Sequence, residues 1–146
     1  MTTNFSAARA PMNEHRLARV AQVGLRLALG TAFLSAVAGR FGLWGRWGGN
    51  WSQFVDYAGQ VNWFLPPSLV PASAIASTVL EIAFGFLLVS GWKVKQAAYG
   101  SAALLLIFAL AMASGDPKSP FDYSVFTASF AALLLATTYS EAPRRA

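Results

Sequence analysis

The chain has 146 residues, of which 55% are hydrophobic and 12% are charged. Soluble domains carry about 25% charged residues, so this composition excludes an ordinary soluble fold. Because a bilayer-spanning helix needs about 20 apolar residues, the length fits one membrane domain of a few helices. The net charge of +5 is not gathered into a long basic run, so nucleic acid is not an expected partner.

Residue types that several redox reactions require are missing from the sequence. The chain has no cysteine and a single histidine, His15. It therefore forms no disulfide or iron–sulfur cluster of its own, and it cannot supply two imidazole ligands to a haem. We expect no covalently bound cofactor and no ligated metal. The sequence also contains no catalytic motif.

The hydropathy pattern predicts an all-α integral membrane protein, a four-transmembrane-helix bundle. The predicted spans are about residues 17–39, 67–91, 95–114 and 122–140. Residues 1–16 are predicted to form a flexible polar tail and residues 142–146 a basic C-terminal tail. One alternative is cleavage of the first span after the small residues 35–38, as in a signal peptide, which would leave three spans.

A further helix is predicted in the first loop. Apolar residues recur at helical spacing over residues 50–64, and Asn50 suits the N-cap position. We expect this amphipathic helix to lie in the outer lipid–water interface. The alternatives are that it covers a cavity between the spans or docks a periplasmic partner.

Basic residues are distributed unevenly between the two sides of the predicted bundle. The tails and the connection between the second and third spans carry seven: Arg9, Arg16, Arg19, Lys93, Lys95, Arg144 and Arg145. The opposite side carries three: Arg40, Arg46 and Lys118. By the positive-inside rule, we expect both termini of this multi-pass membrane protein to be cytoplasmic.

Two opposite charges lie inside predicted spans. Counted from Leu17 and Gly91 as the cytoplasmic ends, Arg26 and Glu81 each lie about 14 Å deep. An unpaired charge at that depth costs at least about 3 kcal/mol, so we predict that the two form a buried ion pair.

Gln22, Ser77 and Thr78 fall on the same helix faces and would complete a polar centre. This centre is either a binding site for a head group, a quinone carbonyl or a proton, or a structural pair that fixes the helix register. A second candidate site is an outer polar cluster that includes Arg40 and Asp122. The alternative for Asp122 is a solvated helix cap.

Several segments resemble the DoxX family of small four-helix bacterial membrane proteins. They are LRLALGTAFLS at 25–35, GRF at 39–41, EIAFGFLL at 81–88 and KSPFDYS at 118–124. The resemblance covers about residues 17–140 and implies a protein of the bacterial inner (plasma) membrane. In that family two basic residues of the first helix and a glutamate of the second recur, and Arg26, Arg40 and Glu81 stand at those places.

The resemblance implies an accessory or small-molecule-binding subunit that supports a membrane oxidoreductase, with a quinone or a lipid as the bound molecule. The chain would then be a non-catalytic subunit. Its expected partners are membrane lipid, membrane or periplasmic oxidoreductase subunits, and further copies of itself in a homo-oligomer. The alternatives are a small transporter or permeation unit and a purely structural assembly factor.

Overall fold

The computed structural model describes residues 11–139, with side chains described from residue 14 onward. The helices are α1 (Pro11–Arg40), α2 (Trp51–Val61), α3 (Val70–Ser90), α4 (Val94–Gly115), α5 (Ser119–Asp122) and α6 (Val125–Thr138). Short 3₁₀ turns, Gly45–Trp47 and Pro67–Leu69, precede α2 and α3. All regular structure in residues 11–139 is helical, so the predicted all-α class is confirmed.

Three helices are long and apolar enough to cross a membrane: α1 from Glu14 onward, α3 with the turn before it, and α4. The fourth apolar helix is shorter than predicted. α6 has 14 residues, about 21 Å, whereas the hydrocarbon core of a bilayer is about 30 Å thick. The predicted span 122–140 is interrupted because Ser124 adopts a left-handed conformation, with φ 55°, between α5 and α6.

The first helix also differs from the prediction at its start. α1 begins at Pro11, so residues 11–16 are helical and do not belong to a flexible tail. The rest of that predicted tail, residues 1–10, and the predicted basic tail 142–146 lie outside the described residues. With 30 residues, α1 is longer than α3, which has 21.

The bundle contains two antiparallel helix pairs, α1 with α3 and α4 with α6, and α3 also packs on α4. Small residues bring α4 and α6 close together: Ala98, Ala132 and Ala136 are fully buried. Ser129 Oγ donates to the carbonyl of Ala102 at 2.9 Å. Large apolar side chains instead point outward, as they do in a protein whose solvent is lipid. Examples on α3 are Ile75, Val79, Ile82 and Phe86.

Two glycines let α1 and α3 approach at backbone contact. A Cβ on Gly30 would lie 3.0 Å from the carbonyl oxygen of Gly85 and 2.8 Å from a methyl of Val89. A Cβ on Gly85 would lie 3.1 Å from the carbonyl oxygen of Gly30 and 2.9 Å from Leu34. Because backbone atoms cannot move aside as a flexible side chain can, this contact fixes the register between the two helices.

We predict that Gly30→Ala destabilises the bundle by about 1 to 3 kcal/mol, because the added methyl overpacks the contact with Gly85. The matched control is Gly24→Ala in the same helix. A Cβ at Gly24 meets no atom within 4 Å, and alanine favours helix by up to about 1 kcal/mol. Thermal unfolding in detergent should therefore separate the two variants. Equal stability of both would show that the glycine contact does not hold α1 against α3.

Candidate functional site

The centre of the site is an ion pair between Arg40, the last residue of α1, and Glu81 in the middle of α3. Arg40 Nη2 donates to Glu81 Oε1 at 2.8 Å. The side chain of Glu81 is 1% exposed and that of Arg40 is 12% exposed. Glu81 is therefore a deeply buried carboxylate, with its charge balanced by one guanidinium.

Two further contacts hold the guanidinium of Arg40 in place. Nη1 donates to Thr78 Oγ1 at 2.8 Å, and this hydroxyl in turn donates to the carbonyl of Ala74 at 2.8 Å. On the other side, the ring of Phe54 from α2 lies 3.7 Å from the Arg40 guanidinium carbon. A cation over an aromatic face at this distance is attracted by the ring quadrupole. Arg40 is thus bound by α3 and covered by α2.

The second oxygen of Glu81 has a different environment. Glu81 Oε2 is buried and has no hydrogen-bond partner within the described part of the chain. A buried acceptor left unpaired costs about 1 to 3 kcal/mol, and more when it is charged. The pair is therefore electrically balanced, but one carboxylate oxygen is not satisfied by the described part of the chain.

The predicted ion pair between Arg26 and Glu81 is wrong. Arg26 lies at the other end of the bundle, where a Cβ on Gly91 would be 2.7 Å from its Nη1. Gly91 is ten residues from Glu81 along α3, roughly 15 Å. The prediction failed because it placed Leu17 and Gly91 at the same depth, whereas the contact of Gly30 with Gly85 shifts α1 along α3.

Helix geometry explains which arginine reaches Glu81. Arg26 precedes Gly30 by four residues and so lies level with Val89, whereas Arg40 follows Gly30 by ten residues and lies level with Ile75. Side chains on a helix lean toward its N-terminus. On α1 this leads Arg26 away from Glu81 and toward Gly91, and it leads Arg40 back along α3 to Thr78 and Glu81.

The other predicted members of the polar centre divide between the two ends of the bundle. Thr78 belongs to it through its bond to Arg40. Ser77 lines an adjoining cavity and donates to the carbonyl of Ala74 at 3.0 Å. Gln22 is not part of the centre, since its Nε2 donates to the carbonyl of Thr138 at 2.9 Å, beside the end of α6.

The predicted outer cluster of Arg40 and Asp122 is not formed as a single site. Asp122 pairs with Lys118 one turn away, and both side chains are largely exposed. Arg40 instead turns inward to Glu81. Asp122 also does not cap α6, because the residue at the N-cap position is Ser124. Sequence reasoning assigned Arg40 to the outer surface because it stands at the end of a span.

Two cavities adjoin at the ion pair. One, of about 340 Å³, lies between α2, α3 and α4, and the other, of about 530 Å³, lies between α1, α4 and α6 beneath α2. Both are lined by Arg40, Phe54, Tyr57, Phe108 and Met112. We call the two cavities together the cleft. Its volumes fall in the range of small-molecule sites, and its walls are mainly apolar with a few polar groups, which is typical of such sites.

The amphipathic helix α2 forms the cover of this cleft. Its start is confirmed: Asn50 and Gln53 make a reciprocal capping box, with bonds of 3.0 and 3.2 Å. Ala58 of α2 is buried against Val70 and Ala74 of α3. The alternative, that α2 covers a cavity, is therefore what the structure shows, and its position in the lipid–water interface stays a prediction.

Several residues of the site were missed from the sequence, namely Phe54, Tyr57, Phe108 and Met112. They come from α2 and α4, and each reads in the sequence as one more apolar residue of an apolar helix. The one signal available for Phe54 was its position on the apolar face of α2. No local pattern marks Phe108 or Met112, because only the packing of α4 under α2 brings them to the cleft.

We predict that Arg40→Met and Glu81→Leu each lower stability by about 3 to 5 kcal/mol, because each leaves a buried charge without its partner. The double variant should recover much of this loss, since neither charge is then held in the apolar interior. Thermal unfolding in detergent, analysed as a double-mutant cycle, measures the coupling.

The control is a second double-mutant cycle, in which Arg26 is changed instead of Arg40. Arg26→Met and Glu81→Leu should be additive within about 0.5 kcal/mol, because the two residues do not touch. Additivity in the Arg40 cycle, or strong coupling in the Arg26 cycle, would contradict the observed pairing.

A comparison with known families identifies the chain. The model of the family described as methylamine utilisation protein MauE matches residues 16–115, more than half of the sequence. No curated protein and no solved structure matches the chain.

The expected membership of the DoxX family is wrong, because the matching family is a different membrane family. The DoxX resemblance rested on short apolar motifs, which unrelated membrane helices share easily. The chain, a multi-pass membrane protein by its apolar helices and its family, belongs to the MauE family.

Proposed function

We propose that this chain is a non-catalytic accessory subunit of a membrane oxidoreductase system for methylamine utilisation, and that it binds a lipid-soluble small molecule in the cleft. The family description supports the system, since it names methylamine utilisation. The sequence supports the accessory role: without cysteine and with one histidine, these 146 residues carry no thiol relay and no two-histidine haem site.

The observation that carries the proposal is the buried Arg40–Glu81 pair in the wall of an apolar cleft. Charged residues inside membrane proteins are expensive to bury and generally mark a functional site. Glu81 Oε2 has no partner in the described residues, so it is an acceptor that the hydroxyl of a bound molecule would satisfy. A quinone or a lipid fits the apolar walls of the cleft, and membrane or periplasmic oxidoreductase subunits are the proposed protein partners.

The proposal also includes an orientation, with both chain termini on the cytoplasmic side of the bacterial inner membrane. It is supported by the excess of lysine and arginine on the side of the termini. In this orientation α2 and the covered mouth of the cleft face the periplasm. A periplasmic partner could then reach α2 directly.

The orientation predicts which introduced cysteines are accessible from outside the cell. Ser52→Cys on α2 should react with a membrane-impermeant maleimide in intact cells, whereas Gln96→Cys at the start of α4 should react only after lysis. Both positions are exposed, and neither change alters the charge of a loop. The native chain, which has no cysteine, is the blank. The reverse labelling pattern would show that the termini lie outside the cytoplasm and would contradict the proposed orientation.

The function predicts a growth phenotype. A strain that lacks this gene should fail to grow with methylamine as its nitrogen source and should grow normally on ammonium. The native gene should restore growth, and the Arg40→Met, Glu81→Leu double variant, stable in detergent, should not. Asp122→Asn is the matched control because it changes an exposed carboxylate at the same end of the bundle.

Purification tests the partners directly. Native chain extracted in mild detergent should carry oxidoreductase subunits and a quinone or lipid that mass spectrometry identifies. Normal growth on methylamine without the gene, or a purified chain with neither kind of companion, would refute the proposed role.

A further inference from the structure

The second cavity of the cleft is lined by a buried carboxylate. This is the space of about 530 Å³ between α1, α4 and α6, and Glu81 is one of its lining residues. Arg40 and Glu81 are the charged residues among those that line it. The rest of the wall is built mainly from apolar and aromatic side chains such as Leu29, Phe33 and Phe108.

The two carboxylate oxygens of Glu81 differ in their hydrogen bonds. Oε1 accepts from Arg40, and Oε2 is buried without a donor in the described part of the chain. A carboxylate paired with a guanidinium is an acceptor at both oxygens. The group that completes this site must therefore bring a hydrogen-bond donor to Oε2.

The charge balance of the Arg40–Glu81 pair limits which ligands the cavity can accept. Arg40 already neutralises Glu81, so an alkylammonium ion would bring a second cation into a largely apolar space, at a high desolvation cost. An anion would likewise stand beside the unpaired side of a carboxylate. A neutral head with a hydroxyl group satisfies the acceptor and leaves the charges balanced. The apolar walls call for an apolar body behind that head.

From this geometry, and resting on the small-molecule role stated above, we propose that the cleft binds a neutral hydroxyl-bearing amphiphile, whose hydroxyl donates to Glu81 Oε2 while its apolar body fills the cavity between α1, α4 and α6. Two sources in a membrane share this chemistry: the reduced, hydroquinone form of a quinone and a lipid with a free hydroxyl. In both, a methyl ether of the same hydroxyl keeps the apolar body and the oxygen but loses the donor.

The experiment compares such pairs of probes on purified native chain. The hydroquinone pair is duroquinol and its dimethyl ether, and the lipid pair is 1-dodecanol and dodecyl methyl ether. Affinity is measured from the rise in melting temperature with probe concentration in detergent. We expect at least one hydroxyl probe to bind about tenfold or more tightly than its ether, the effect of one hydrogen bond to a charged group.

Variants test the two halves of the site separately. Glu81→Gln keeps the shape of the side chain and should reduce the preference for the hydroxyl probe to less than threefold. Ala36→Phe adds a large side chain to the α1 wall of the cavity and should weaken the binding of both members of a probe pair about tenfold. Asp122→Asn and Ala28→Phe, at positions that do not line this cavity, are the matched controls and should change neither value.

Some outcomes identify the source of the bound molecule, and others overturn the proposal. Preference for duroquinol alone assigns the site to a hydroquinone, preference for dodecanol alone assigns it to a lipid hydroxyl, and preference in both pairs supports the shared chemistry. Equal binding of hydroxyl and ether in both pairs overturns the proposal and leaves Oε2 to water. Where Glu81→Gln does not fold, unchanged binding by Ala36→Phe overturns it. The growth and purification tests of the accessory role do not depend on these affinities.

Discussion

The backbone contact between Gly30 and Gly85 is the constraint on which the rest of the structure depends. In a membrane, burial of apolar surface does not drive helices together, so close packing of small residues decides where they meet. Once these two glycines touch, the antiparallel helices α1 and α3 have one register. That register brings Arg40 within reach of Glu81 and places Arg26 beside Gly91. The polar chemistry of the molecule therefore follows from a contact that contains no polar side chain.

The ion pair connects this register to the cleft. Arg40 uses two of its donors on Thr78 and Glu81 and presents its face to Phe54, so a single guanidinium joins α1, α3 and α2. A pair of this kind contributes little to net stability compared with apolar residues of the same size, because desolvation of the charges offsets their attraction. The pair instead holds in place, beside an apolar cavity, a carboxylate with one oxygen that the described residues leave unpaired.

The helix α2 covers one side of this arrangement. Its N-terminus is fixed by the capping box of Asn50 and Gln53. Its C-terminal end lies against α4, where the hydroxyl oxygen of Ser114 is 3.3 Å from the carbonyl oxygen of Val61. Phe54 and Tyr57 then form a roof that both cavities share. For the proposed accessory role, the cleft would hold the lipid-soluble molecule and the outer face of α2 would meet the protein partner.

The sequence by itself determined the helical membrane class, the three long apolar helices and the cap of α2, because hydropathy, periodicity and capping are local properties that a few neighbouring residues express. It also marked Glu81 and Thr78 as residues of a polar centre. It could not identify the arginine that pairs with Glu81, since Arg26 and Arg40 both lie on α1 and only the longitudinal position of α1 against α3 distinguishes them. It likewise could not show that Phe108 and Met112 line a cleft, because an apolar residue that faces lipid and one that faces a cavity look the same in sequence. Tertiary packing decided both features: the close approach of Gly30 and Gly85 selected the arginine, and the packing of α4 under α2 brought Phe108 and Met112 to the cleft.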